Sequence, residues 1–238
     1  MILLISIYIT NLQKYELFSY LCGRYKRSDM KLVFATGNSG KLREASEILG
    51  EGFELVSLKD VGILEDIPET GNTLRANSLQ KAQYLYERVG CNCFADDTGL
   101  EVDALGGAPG VYTARYAGDD KDFNKNMDKV LYELAVLETE ANMAAGLGLK
   151  MKPVSRRARF KSVVTLMFDG QIRIFEGSLE GVISHVKSGN GGFGYDPIFI
   201  ADEYPGKTLA DISEEEKNEI SHRGKALRAM AAWLHENV

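Results

Sequence analysis

The sequence predicts a mixed α/β fold, because strand-like and helical stretches alternate and the second half contains a hairpin of two long strands. Residues 31–49 show the pattern of an apolar strand, a turn and an amphipathic helix. Strands near 157–168 and 171–185 flank Asp169-Gly170, a two-residue hairpin signal. These observations predict a sheet with parallel and antiparallel strands, in an α/β or α+β arrangement.

The remaining predicted elements continue this alternation. A second helix is predicted at 73–89, with an apolar side assigned to Leu79, Ala82, Tyr86 and Val89. The others are a strand at 92–95 that ends at Asp96-Asp97, a turn-rich stretch at 98–118, a helix at 122–138, a surface loop at 139–153, a strand at 198–200, a capping box at 213–216 and a last helix at 222–236.

Composition narrows the class of protein. The chain has 238 residues, of which 45% are hydrophobic and 26% charged, as in an ordinary folded domain. A formal net charge of −6 argues against binding to nucleic acid through a broad basic face. Three cysteines, Cys22, Cys91 and Cys93, show no disulfide framework, which favours a reducing, cytoplasmic location. Cys91 and Cys93 are interpreted as small strand side chains rather than as a metal pair.

The first 29 residues carry no recognisable motif. Their apolar run at 1–9 is far shorter than the ~20 residues of a membrane span. Basic residues follow this run instead of preceding it, which is the reverse of a secretory signal. We therefore expect no membrane association, a dispensable extension at 1–29, and a single domain at 30–238 with 139–153 as a loop insertion.

The turn after the first strand is the first candidate site. A helix N-terminus suits a phosphate, because it offers free backbone N–H groups and the positive end of the dipole. Ala35 and Leu42 stand where a Walker A loop needs Gly and Ser or Thr, so that motif is absent. A simple helix-capping turn is the alternative. The candidate phosphate ligands are Thr36, Gly37, Asn38, Ser39, Gly40 and Lys41.

Acidic residues form the second candidate site. Asp96 and Asp97 follow an apolar strand, where two carboxylates can hold a divalent cation and orient a water molecule. Adjacent strand residues face opposite ways, so the two should have different roles. Glu69, just before the second helix, could supply a further carboxylate. A solvated acidic turn and a favourable charge at a helix N-terminus are the respective alternatives.

Aromatic and basic residues in the last quarter could recognise a base. The glycine-rich stretch 191–197 contains Phe193, Tyr195 and Asp196, and an aromatic face can stack on a base. His222 and Arg223 open the last helix, with Lys217 one turn earlier, and could donate to an anion or a carbonyl. A turn with core aromatics and a surface His–Arg pair are the alternatives.

Taken together, these motifs resemble the inosine/xanthosine triphosphate pyrophosphatase family. Each motif is weak alone, but six in the same order, from about residue 30 onward, are specific. They are 35–41 (ATGNSGK), 69–71 (ETG), 95–100 (ADDTGL), 106–110 (GGAPG), 191–197 (GGFGYDP) and 221–224 (SHRG). The resemblance implies an elongated two-lobed fold with a mixed sheet, an active-site cleft between the lobes, and a homodimer.

The resemblance also implies a reaction: hydrolysis of ITP, dITP and XTP to the monophosphate and pyrophosphate, with Mg²⁺. It implies that Glu69 and Asp97 bind the metal, that Asp97 is the general base with Asp96 as its neighbour, and that Lys41 holds the triphosphate. The residues implied at the substrate are Thr36 to Lys41 of the turn, Thr98, Phe193, Gly194, Tyr195, Asp196, Lys217, His222 and Arg223.

Two other functions remain open at this point. One is a related pyrophosphatase for modified pyrimidine or methylated nucleotides, which a panel of bases would distinguish. The other is a non-catalytic nucleotide-binding module. Such a module should lack acidic metal ligands, whereas Glu69, Asp96 and Asp97 are all present.

Overall fold

The structure, a computed structural model, describes residues 29–238, so the predicted extension lies outside the described residues except for Asp29. The strands are β1 (Asp29–Phe34), β2 (Gly52–Ser57), β3 (Cys93–Val102), β4 (Arg157–Phe168), β5 (Gln171–Ile183) and β6 (Phe199–Ala201). The α-helices are α1 (Ser39–Leu49), α2 (Leu74–Val89), α3 (Phe123–Gly146), α4 (Glu214–Ile220) and α5 (His222–Asn237).

The six strands form one mixed sheet in the order β2-β1-β3-β4-β5-β6. β1 pairs in parallel with both β2 and β3, whereas β5 pairs antiparallel with β6. Asp169 and Gly170 connect β4 to β5 with φ angles of 47° and 75°, the left-handed values that the two-residue hairpin requires. The predicted mixed α/β fold and its hairpin are therefore confirmed, while β2 was missed.

The described chain divides into two compact units. The first contains the described residues up to Asp97 together with Val163–Phe175 and Ala226–Val238. In it, Leu32 and Phe34 of β1 belong to one apolar cluster, with α1 and α5, and Val33 belongs to another, with α2. Because successive strand side chains point to opposite faces, β1 is covered by helices on both sides.

The second unit contains Thr98–Ser162 and Glu176–Lys225. Its core packs Met127, Val130 and Leu134 of α3 against the ends of the strands in this unit. The capping box at the start of α4 is confirmed: Ser213 accepts from the Glu216 backbone, and the Glu216 carboxylate accepts from the Ser213 backbone.

Two predicted boundaries are wrong. β3 does not end at Asp96-Asp97 but continues to Val102, so the acidic pair lies in the middle of a buried strand. α3 continues to Gly146, so residues 139–146 are helical and only 147–156 lack regular structure. The helix extends because 139–146 contains three Ala, one Glu and one Met, all of which favour helices, before glycines allow the chain to turn.

The strand position predicted for the cysteines is confirmed for Cys93, the first residue of β3, whereas Cys91 lies in the bend before that strand. Both are buried in the same apolar cluster, and burial raises the pKa of the Cys93 thiol. Cys22 lies outside the described residues. Among residues 29–238, no helix has the length and apolar character needed to cross a membrane.

Candidate active site

The turn between β1 and α1 is built as a helix N-terminus. Asn38 is the N-cap of α1, and its side-chain oxygen accepts from the backbone N–H of Gly40 at 2.8 Å and of Lys41 at 3.2 Å. Thr36, which is buried, accepts from the Asn38 backbone at 3.1 Å. Residues 37–40 are exposed, so the capped turn presents its backbone to solvent.

Strand pairing places this turn beside the acidic pair. The parallel register joins Val33 to Cys93 and Phe34 to Phe94, so the ends of β1 and its turn run alongside Asp96. The Lys41 Nζ lies 2.9 and 2.8 Å from the two carboxylate oxygens of Asp96, a residue only 2% exposed. These residues are 55 positions apart in sequence, and only the sheet brings them together.

Asp97, the other member of the pair, contacts a different lysine. Lys81 of α2 places its Nζ 3.1 Å from the Asp97 carboxylate and 2.6 Å from that of Glu69. Lys81 is buried, whereas the Glu69 side chain remains 34% exposed. The prediction that Asp96 and Asp97 have different roles is thus supported by their different partners.

Lys81 was missed by the sequence interpretation. The predicted apolar side of α2 is confirmed for Ala82, Val89 and Tyr86, which all pack in or against one core cluster. Leu79 is only half-buried. The buried side also carries polar residues, and its members are Leu74, Asn77, Ser78, Lys81, Ala82, Leu85 and Val89. The sequence did contain a signal for Lys81, because its spacing places this lysine on the buried side of α2. A buried lysine requires a charged partner.

The segment that carries Glu69 is fixed against the first turns of α2. The Gly71 N–H donates to the Asn77 side chain at 2.7 Å, and the Thr70 N–H donates to the Gln80 side chain at 3.0 Å. A Cβ on Gly71 would lie 2.7 Å from both Ala76 and Asn77, so only glycine allows this approach. The 69–71 motif therefore positions Glu69 over Lys81.

The electrostatics of this cluster favour an added cation. Glu69, Asp96 and Asp97 supply three carboxylates, and Lys41 and Lys81 supply two ammonium groups. Burial raises the pKa of Asp97, and Glu69 raises it further, although Lys81 lowers it. Burial alone lowers the pKa of Lys81, but Asp97, Asp96 and Glu69 outweigh it and raise that pKa above its ordinary value.

The donor set fits a hard divalent cation. The carboxylates of Glu69 and Asp97 face one position. The Lys81 ammonium group occupies this position and neutralises both carboxylates. Within residues 29–238, no group of three or more His, Cys, Asp or Glu side chains is close enough to hold a metal ion. A cation bound by two carboxylates would complete its shell with water and substrate oxygens, which suits Mg²⁺.

The second unit contains the predicted base-recognition residues. Asp196, 3% exposed, accepts from the Phe193 backbone N–H at 2.5 Å and from the Lys217 ammonium at 2.5 Å. Tyr195 lies in the core, donates its hydroxyl to the Thr113 carbonyl at 2.8 Å, and its burial raises the pKa of the phenol. Phe193, in contrast, is 66% exposed, so it is the aromatic side chain of this segment that a ligand can reach.

The remaining predicted residues occupy other positions in the second unit. The His222 ring stacks on Phe160 with centroids 5.0 Å apart and planes at 13°. Arg223 is the second residue of α5 and is half-buried. Thr98 donates to Ser162 at 3.2 Å, and Gly194 takes a φ of 66° after Phe193. The predicted phosphate and metal ligands thus lie in the first unit, and the predicted base-recognition residues lie in the second.

The fold and the site together define a class of protein. It is a mixed α/β protein in which a capped helix N-terminus suited to an anion lies beside a lysine–carboxylate cluster suited to a metal ion. The sequence profile of the Ham1 family matches residues 32–233. The chain therefore belongs to the Ham1 family.

Individual relatives cover nearly the same region. The chain is 45% identical over 205 residues to a dITP/XTP pyrophosphatase of Flavobacterium johnsoniae, covering 86% of this chain and 98% of the relative. It is 41% identical over 204 residues to a dITP/XTP pyrophosphatase of Bacillus subtilis, covering 85% and 96%. A Ham1 protein structure from Coxiella burnetii is similar with a TM-score of 0.76 and 34% identity, covering 87% of this chain and 98% of that chain.

Proposed function

We propose that the chain hydrolyses ITP, dITP and XTP to the nucleoside monophosphate and pyrophosphate, with Mg²⁺ as cofactor. The observation that carries the proposal is the convergence of Glu69 and Asp97 on one cation position, in the unit where Lys41 of the capped turn meets Asp96. Family membership and the dITP/XTP pyrophosphatases among the relatives support the reaction and the substrate class.

The three carboxylates of the cluster and Lys41 each have a chemical task in this proposal. Glu69 and Asp97 hold Mg²⁺, which when bound neutralises phosphate charge and polarises the α-phosphoryl group. Asp97 accepts the proton of the attacking water. Lys41 and the N-terminus of α1, with Thr36 to Gly40, hold the departing pyrophosphate. Asp96 anchors Lys41 through both carboxylate oxygens.

Base selection is assigned to the second unit. Phe193 stacks on the purine, while Lys217, His222 and Arg223 supply donors around it, and Asp196 can accept from a purine N–H. Inosine and xanthosine carry a 6-oxo acceptor where adenine carries a 6-amino donor. A donor such as Arg223 therefore favours the oxo bases and is left unpaired against adenine, which produces discrimination.

Product analysis tests the proposal directly. Purified protein with Mg²⁺ is expected to release pyrophosphate from ITP, dITP and XTP, and chelation of the metal is expected to stop the release. Orthophosphate as the primary product would contradict attack at the α-phosphoryl group. Equal turnover of ATP or GTP would contradict the specificity. Faster turnover of modified pyrimidine or methylated nucleotides would favour the related pyrophosphatase, and binding without turnover would favour the non-catalytic module.

Replacing Arg223 with alanine tests its assignment to the 6-position. The ratio of kcat/KM for ITP over ATP is expected to fall by about 10- to 100-fold, because a charge-assisted hydrogen bond contributes about 1.5–3 kcal/mol. Arg228→Ala is the matched control, since Arg228 lies on the same helix and is exposed. An equal decline for both nucleotides would show that Arg223 acts elsewhere.

The proposal also includes a homodimer and a cytoplasmic location, which follow from the resemblance to the family and from the cysteine usage. That residues 1–29 are dispensable stays a prediction.

A further inference from the structure

The ring of Phe193 contacts one other aromatic side chain that family resemblance did not single out. Phe123 lies with its ring centroid 4.4 Å from that of Phe193, and the planes meet at 63° in an edge-to-face pair. Phe193 is 66% exposed and Phe123 is 36% exposed. A ring that is two-thirds exposed can make this contact and still offer a face to a ligand.

The backbone around Phe193 does not by itself fix its ring. Gly192 and Gly194 flank it with φ angles of 81° and 66°, and glycine permits many other conformations. The Phe193 N–H donates to Asp196, which holds the main chain of the loop. Orientation of the ring therefore depends on what the ring touches.

The backbone of Phe123 is held at the first position of α3. The N-cap Asp122 accepts from the N–H groups of Asn124 at 2.8 Å and Lys125 at 3.1 Å, which fixes this helix start. Lys187, a few residues before the loop, also contacts the start of α3: its ammonium donates to the Asn124 carbonyl at 3.5 Å and pairs with Asp128 in the second turn at 2.7 Å. The start of α3 thus supports the segment that carries Phe193.

We propose that Phe123 is a positioning residue for the substrate base: it holds the Phe193 ring with one face open for a purine. This inference rests on the proposed function. Phe123 need not touch the nucleotide, because its effect passes through Phe193. Loss of the aromatic contact should weaken binding of the base and leave the phosphate chemistry unchanged.

Steady-state kinetics with ITP provide the test. Phe123→Leu is expected to raise KM about 2- to 10-fold, the equivalent of one aromatic pair, with kcat within about twofold of wild type. Phe123→Tyr should restore KM. Inhibition by inorganic tripolyphosphate, which has no base, should not change. Tyr132→Leu is the matched control, because Tyr132 is an exposed aromatic residue on the same helix.

A double-mutant cycle separates positioning from a general structural effect. In a Phe193→Leu background, Phe123→Leu should have no further effect on KM. An unchanged KM in Phe123→Leu, an equal rise in the Phe193→Leu background, or weaker tripolyphosphate inhibition would each overturn the inference. If the wild-type protein does not hydrolyse ITP, the proposed function itself has failed, and that result is visible before any variant is compared.

Discussion

Replacing Asp97 with asparagine is expected to lower kcat for ITP by about 10²-fold or more, while the protein stays folded. The change preserves the shape of a side chain in a buried strand but removes the negative charge. Without that charge, Glu69 is the one remaining carboxylate of the pair that we propose to bind the metal ion. The neutral amide is also unable to accept the proton of an attacking water.

The measurement is kcat over a titration of Mg²⁺, together with a melting curve for each protein. A higher Mg²⁺ requirement with restored kcat at saturation would assign Asp97 to metal binding alone. A kcat that stays low at every Mg²⁺ concentration would support its role as general base. Asp66→Asn, at an exposed position before Glu69, is the control. Near-normal turnover in folded Asp97→Asn protein would contradict both roles.

Replacing Lys81 with methionine is expected to lower the free energy of unfolding in the absence of metal by about 3 kcal/mol. Lys81 is buried and neutralises Asp97, which is also buried, and Glu69. Methionine keeps most of the side-chain volume, so the loss reflects two carboxylates left facing each other without a counter-charge. The partial exposure of Glu69 keeps the expected cost at the lower end of the range for buried pairs.

Mg²⁺ should recover part of this loss, because a bound cation restores the missing positive charge. Denaturant unfolding with and without Mg²⁺ measures the difference. Lys31→Met is a matched control, since Lys31 is another buried lysine, paired with Glu54 at 3.3 Å. The Lys31→Met variant should have a lower free energy of unfolding than the wild type, and Mg²⁺ should not raise it. An equal Mg²⁺ effect in wild-type, Lys31→Met and Lys81→Met proteins would refute a cation site at this position.

The sequence could predict much of the fold because many of its signals are periodic or local. The strand–turn–helix at the start, the hairpin at Asp169-Gly170 and the capping box at Ser213 are all found as predicted. The predicted end of β3 failed because polar residues lie inside a buried strand. Asp96 and Asp97 look like a strand end by composition, yet their lysine partners allow β3 to continue through them.

The same reason explains why Lys81 was missed. Hydrophobic periodicity considers only apolar residues on the buried side of α2, and a lysine counts as a surface residue until its partners are known. Phe193 and Tyr195 were treated alike, since both are aromatic residues of one loop. In the structure Tyr195 fills the core and Phe193 is exposed.

By itself, the sequence determined which residue types are available and how each short segment folds, because turns, caps and strand alternation depend on neighbours within a few positions. Only the tertiary structure decided which side chains meet. Lys41 and Asp96 are 55 residues apart, Lys81 and Glu69 are 12 apart, and Phe123 and Phe193 lie on separate segments. Such pairs depend on strand register and helix packing, which fix distances to within ångströms, and local sequence patterns carry no information at that scale.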